Sequence, residues 1–144
     1  MWVVSSSEDS AMAAGASDGG SVEDTALVVV DDEPDVVESL KVLLELDGYT
    51  VHAATSAQDA LQLVAVHRPM AVILDLGMPV VDGLTLARRL RELHGPDLPL
   101  VALTGWSDVE EREKAELAGV DYVMVKPLDA QALRTLFPPL APQP

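Results

Sequence analysis

The 144 residues suit a single domain, which can bury roughly two-thirds of its unfolded surface without staples. There is no cysteine, so disulfides and thiolate metal sites are excluded. A formal charge of −15, from 24 acids against 9 bases, argues against a nucleic-acid-binding module and fits a protein that binds cations or meets a basic partner, although a solvated acidic surface accounts for most of the acids.

Residues 1–24 read as a disordered acidic tail. Ser, Ala, Gly and acids dominate, and the segment cannot bury enough surface to offset its ordering entropy. Met1-Trp-Val-Val4 is a small apolar exception with no role assigned. Five acids fall in the tail, which leaves about −10 for the rest. No apolar run approaches the ~18 residues of a membrane span, and no basic flank precedes an apolar segment at the N-terminus. No membrane association is expected, and a cytoplasmic location is the default expectation.

From Ala26 the chain alternates. ALVVV (26–30) is a β-branched strand, followed by helical spacing from Glu33 to Leu46 that stops at Asp47-Gly48. TVHAA (50–54) is the second strand. Ser56, with Asp59 three residues on, opens a helix that ends near His67-Arg68-Pro69. MAVIL (70–74) is the third strand. Leu84, Leu86, Leu90 and Leu93 mark the apolar positions of the next helix, over 84–93. LPLVAL (98–103) is the fourth strand, and Ser107 caps a helix over 108–118, stopped by Gly119. DYVMV (121–125) is the fifth strand. Asp129 caps a last short helix, broken by Pro138-Pro139. The domain is therefore expected over 25–138, with a Pro-rich tail over 139–144. Strands alternating with helices of about ten residues predict right-handed βαβ units and an α/β doubly wound parallel sheet. Near-continuous apolar strands fit helices on both faces.

The strand ends carry the chemistry. The first strand ends in Asp31-Asp32, the third in Asp75, the fourth in Thr104-Gly105 and the fifth in Lys126-Pro127. Open α/β sheets bind ligands beyond the carboxyl ends of their strands, so these residues converge on one crevice. An Asp at a strand end is usually a turn or cap residue, and Thr104 or Lys126 alone would signify little. Four such ends in one parallel sheet are another matter. At 4 Å each carboxylate pair repels by about 4 kcal/mol at an effective dielectric near 20, and Lys126 offsets only part of this. A divalent cation would offset the rest, and carboxylates with carbonyls and water suit Mg²⁺. Mg²⁺, a Lys and a Thr hydroxyl together suit a phosphoryl group, with Asp75 as the nucleophile that forms an aspartyl phosphate.

VVVDDEP (28–34), VILDLGMPVVDG (72–83), VALTGWS (101–107) and VDYVMVKP (120–127) resemble the signatures of response-regulator receiver domains, the two-component and phosphorelay family that includes the chemotaxis regulators. The resemblance spans roughly residues 26–137. It implies a flavodoxin-like (βα)5 sandwich with strand order 2-1-3-4-5. It implies that Asp75 accepts a phosphoryl group from a phosphohistidine on a histidine kinase or histidine phosphotransfer protein. Asp31 and Asp32 then hold Mg²⁺ together with Asp75 and the backbone carbonyl of Gly77. Lys126 contacts the phosphoryl oxygens or, before transfer, the acceptor carboxylate. Thr104 moves toward the phosphoryl group and reports its presence, and the small Gly105 leaves the phosphate reachable. The Lys126-Pro127 bond is implied to be cis.

Two departures stand out. Many receivers carry an aromatic or His three residues before the Lys, where this chain has Val123. Tyr122 is one residue earlier, so strand alternation points it to the other face, and the usual Thr–aromatic coupling is not expected. Trp106 sits where side chains tune the access of attacking water. Its indole is expected to slow self-dephosphorylation, and an unchanged phosphoryl half-life in Trp106→Ala would count against this. The short last helix belongs to a face that receivers often use for partners.

Two other functions compete. A phosphorylation-independent interaction module of receiver fold would be favoured by loss of the acceptor, the Lys or the acid pair, but all are present. An aspartyl phosphatase commonly needs a second Asp two residues after the nucleophile, where this chain has Gly77. There is no Walker loop and no G-x-G-x-x-G for a nucleotide. The expectation is a receiver, stand-alone or a piece of a longer hybrid protein, that assists its own phosphorylation and acts on a downstream protein the sequence does not name.

Overall fold

The computed structural model describes residues 23–76, 83–105, 109–126 and 130–140. Five strands, β1 (Glu23–Val30), β2 (Thr50–Ala54), β3 (Pro69–Asp75), β4 (Leu100–Thr104) and β5 (Tyr122–Val125), form one parallel sheet of order β2-β1-β3-β4-β5. The helices are α1 (Pro34–Leu46), α2 (Ala57–His67), α3 (Gly83–His94), α4 (Val109–Leu117) and α5 (Ala130–Leu136). The architecture and strand order match the expectation. α2 is capped as expected, with Ser56 Oγ accepting from the Asp59 N–H at 3.1 Å. The caps expected at Ser107 and Asp129 lie outside the described residues.

Successive side chains of a strand face opposite sides, which divides the apolar strands between two cores. Leu27 and Val29 of β1 pack with Ile73 of β3, Leu40 and Leu44 of α1, and Leu133 of α5. Val28 and Val30 pack with Leu74, Val64 of α2, and Leu86 and Leu90 of α3. Each fully buried Leu or Val contributes about 1.5–3 kcal/mol. Tyr122 joins the first core and Val123 the second, so alternation separates them as expected.

The edges differ from the sequence reading for physical reasons. β1 begins at Glu23, within the segment expected to be tail, where Glu23 pairs with Pro69 before the register shifts ahead of Leu27. β4 begins at Leu100 rather than 98: Pro99 has no N–H to give, and the Leu98 carbonyl accepts from Arg91 instead. Leu93 is 53% exposed, and Ala87 is buried on the inner face of α3 in its stead.

The start of the Pro-rich segment is strapped to the α1–β2 turn. The Leu140 N–H donates to the Asp47 carbonyl at 2.9 Å, and the Tyr49 hydroxyl donates to the Pro138 carbonyl at 2.6 Å. The Tyr49 ring meets Phe137 edge-on, and burial, with Asp47 nearby, pushes its hydroxyl up to about 12. Gly48, at φ +104°, lies under Leu140, whose Cβ stands 3.1 Å from where a side chain would begin. Arg134 makes a two-pronged ion pair with Asp47, at 2.8 and 2.9 Å. That guanidinium holds the Asp47 carboxyl below its ordinary value of 3.8. A depressed carboxylate stabilises the fold above its unfolded pKa, and the contribution is lost as pH falls through the folded value. Asp47→Asn is expected to flatten the decline of the urea midpoint as pH falls below 3.8 at low salt. An unaltered acid limb would refute this.

Candidate functional site

Strand order reverses between β1 and β3: the chain crosses from β1 to β2 on one side and returns to β3 on the other. Val30 is registered with Leu74, so the next residues, Asp31 and Asp75, emerge side by side at the carboxyl ends. Asp31 is fully buried because β1 has a strand on each side, Asp75 is nearly so, and Asp32 is exposed. Carboxylate oxygens of the three lie within 4.8 Å of one another. Beyond β5, Lys126 Nζ stands 3.2 Å from Asp31 Oδ2 and 3.4 Å from Asp75 Oδ2. The Lys126 N–H also donates to the Thr104 carbonyl at 2.8 Å, which joins the ends of β4 and β5.

Burial pushes the Asp31 carboxyl above its ordinary value. The Glu33 N–H, donating to Asp31 Oδ1 at 3.0 Å, opposes the rise; the Asp75 charge adds to it, and Lys126 opposes it again. Burial likewise opposes the charge of Lys126, but Asp75 and Asp31 together outweigh it and hold the ammonium above its ordinary value. One cation thus serves two buried carboxylates, with a third beside them. The donor set is all carboxylate oxygen, with no nitrogen or sulfur, which suits a hard divalent cation such as Mg²⁺.

A family model for the response regulator receiver domain matches residues 27–137, nearly the whole described fold. The chain belongs to that family. The response regulator MprA of Mycolicibacterium vanbaalenii is 43% identical over 107 residues, 74% of this chain and 46% of the relative. The chain thus spans about half the length of the curated relatives it matches. Among solved structures, the chemotaxis protein CheY4 of Vibrio cholerae superposes with a TM-score of 0.75 at 25% identity, over 82% of this chain and 100% of that one. A response regulator receiver protein from Pseudomonas putida does so with a TM-score of 0.73 at 29% identity, over 81% and 97%.

In this receiver, Asp31, Asp32, Asp75 and Lys126 come together, and Thr104 is buried at the end of the adjacent β4. Gly105 is exposed, with no atom within 4 Å of where a Cβ would stand. Gly77, Trp106 and Pro127 lie outside the described residues. No helix among the described residues is long and apolar enough to cross a membrane. A cleft of about 340 Å³ runs along α1 to Lys126, lined by Asp35, Val36, Ser39, Leu43 and Leu103 among others.

Gly83 is the residue whose constraint the sequence did not disclose. It starts α3, and a Cβ there would stand 2.6 Å from the Leu76 Cα and against the Asp75 carbonyl oxygen. Both neighbours are backbone and cannot yield without moving the carboxyl end of β3. Gly83→Ala is expected to destabilise the receiver by about 1–3 kcal/mol in urea unfolding. A change under about 0.5 kcal/mol would show that the helix withdraws freely.

Proposed function

We propose that the receiver is the phosphoacceptor of a phosphorelay. Asp75 takes a phosphoryl group from a phosphohistidine on a histidine kinase or histidine phosphotransfer protein, and the altered surface is read by a downstream protein. The observation that carries this reading is the placing of Asp75: a carboxylate at a strand lip, 3.4 Å from Lys126 and beside two further acids.

Asp31, Asp32 and Asp75, with the Gly77 carbonyl, are the groups that would hold Mg²⁺. Bound there, it would supply positive charge against the phosphoryl oxygens. The chain's residues supply the rest. An Asp75 carboxylate oxygen attacks phosphorus; the new P–O bond forms as the P–N bond to the donor imidazole breaks. The imidazole leaves with the bonding pair and takes up a proton. Lys126 balances charge on the phosphoryl oxygens, and the Thr104 hydroxyl donates a hydrogen bond to them. Gly105 leaves that side open to donor and water. The apolar cleft along α1 offers the donor protein a landing beside Lys126. The receiver assists its own phosphorylation and dephosphorylation and turns over no separate metabolite.

The test is incubation with an acyl phosphate and Mg²⁺, followed by mapping of the modified peptide by mass spectrometry. The label is expected on Asp75 and is expected to vanish with chelator. A label on another residue, or none, would overturn the reading.

A further inference from the structure

Both ends of α3 are fastened, and one of them touches the backbone of Asp75. The inner residues of the helix, Leu86, Ala87 and Leu90, are buried in the core that holds Val72 and Leu74 of β3. α3 therefore packs on the strand that ends in Asp75. At the strand lip the Gly83 N–H donates to the Leu76 carbonyl at 3.3 Å. A Cβ on Gly83 would stand 2.6 Å from the Leu76 Cα and against the Asp75 carbonyl oxygen, so the helix start abuts the acceptor's own backbone. A helix of 12 residues is a rod about 18 Å long. Where its far end is fixed decides how closely its near end sits on Asp75.

Arg91, on the last turn of α3, fixes the far end. Its Nε donates to the Gly119 carbonyl at 3.2 Å, and Nη2 donates to the same oxygen. Nη1 donates to the Gly95 and Leu98 carbonyls, both at 2.8 Å. Nη2 also pairs with Asp121 Oδ2 at 2.9 Å, and that oxygen accepts from the Leu100 N–H at 2.8 Å. The helix is thus tied to the base of β4 and to the turn before β5. A Cβ on Gly119, which has φ +99°, would stand 3.0 Å from Arg91 Nε, so that turn is pressed against the guanidinium. A planar fork of five donors suits such a junction, and an ammonium would not reproduce it.

We propose that Arg91 is a positioning residue for Asp75: by fixing the far end of α3 it sets the seat of Gly83 on the Asp75 and Leu76 backbone, and with it the aim of the acceptor carboxylate. This rests on the reading of Asp75 as phosphoacceptor. In-line attack tolerates little displacement, and about 1 Å can cost a hundredfold in rate. Arg91 itself touches neither Asp75 nor a phosphoryl donor; it acts through the helix.

Labelling of the full chain by acetyl phosphate at saturating Mg²⁺, followed over a range of acetyl phosphate concentrations, tests this. Arg91→Lys is expected to lower the limiting rate at Asp75 by about tenfold. The half-saturating concentration is expected to stay within about twofold, because Arg91 contacts no donor. Arg134→Lys, the same exchange at the Asp47 ion pair, is expected to leave the limiting rate within about twofold. An unchanged limiting rate in Arg91→Lys, or an equal fall in Arg134→Lys, would overturn the positioning role alone. Absence of label in the parent chain would overturn the phosphoacceptor reading and the positioning role with it. Without donor or metal, the amide ¹⁵N and ¹H shifts of Gly83 and Leu76 are expected to move in Arg91→Lys. A purely local lesion would not reach Gly83, eight residues and about 12 Å along the helix. Unmoved shifts there would overturn the role. Asp121→Asn, a milder lesion, is expected to move the same shifts less and to lower the rate about two- to threefold. It decides the matter in the same way should Arg91→Lys fail to fold.

Discussion

Asp75→Asn is expected to take no phosphoryl group from an acyl phosphate and, in metal-free buffer, to be more stable than the parent chain. The first effect follows from chemistry, since a carboxamide oxygen is not a nucleophile toward phosphorus at neutral pH. Neither neighbour replaces it: Asp31 is fully buried, and Lys126 pairs with Asp31 and Asp75 rather than with Asp32. The second effect follows from the charges. At separations up to 4.8 Å, Asp75 repels each neighbouring carboxylate by at least about 3.5 kcal/mol at an effective dielectric near 20, with the exposed Asp32 further screened. Lys126 at 3.4 Å returns about 5 kcal/mol on the same scale. The remainder is unfavourable once the desolvation of a nearly buried carboxylate is added. Asparagine keeps the shape and an acceptor for Lys126, so a gain of about 1–2 kcal/mol is expected. Urea unfolding in chelator checks it. Excess Mg²⁺ is expected to reverse the ranking, because the parent keeps one more ligand and binding to the folded state alone stabilises it. Undiminished labelling of the variant, or a stability loss in chelator, would sink the account.

The site was legible because each residue sits where an apolar run stops. Val28-Val29-Val30 and Val72-Ile73-Leu74 declare buried strands, and Asp31 and Asp75 are the next residues. Alternation of strand and helix gives a parallel sheet, which puts all carboxyl ends on one side. Adjacency of Asp31 to Asp75 needs more: β1 must lie beside β3, and that order came from family resemblance rather than from the pattern of residues. What remained hidden depends on backbone geometry or on distant partners. Arg91 sits in RRLREL, where nothing local separates it from the exposed Arg89, yet the fold brings it the carbonyls of Gly95, Leu98 and Gly119. Leu140 follows two prolines and reads as tail, while its partners Asp47 and Gly48 lie at the far end of the domain sequence. Glu23 joins β1 only through a register shift opposite Pro69. Leu93 fits the apolar spacing but falls on the outer side as α3 turns.

Lys126→Ala is expected to slow phosphorylation of Asp75 by about a hundredfold or more and to cost about 2–3 kcal/mol of metal-free stability at neutral pH. The rate loss is that of a donor aimed at developing charge. The stability loss follows from leaving Asp31, with none of its surface exposed, without its cation; the value is set below that of a fully buried pair because the Lys126 side chain is 29% exposed. The pH dependence gives the signature. Asp31 is raised above 3.8 chiefly by burial, so its contribution is present below 3.8 and is lost as pH rises through the folded value. Without Lys126 one of the influences that lower Asp31 is gone, its folded pKa climbs further, and the loss grows deeper and extends to higher pH. Lys126 itself is raised, so its contribution holds below 10.5 and is lost above it as pH passes the folded value. The two chains are therefore expected to differ least near the acid end, to diverge as pH rises above 3.8, and to converge again in strong alkali above 10.5. Mg²⁺ is expected to narrow the gap in the middle range, since a cation held by the carboxylates takes over part of the neutralisation. Urea midpoints across pH, with chelator and with Mg²⁺, read all of this. A pH-independent gap would mean that Lys126 acts by packing alone, and a gap that Mg²⁺ leaves unchanged would mean that the three carboxylates do not share a cation.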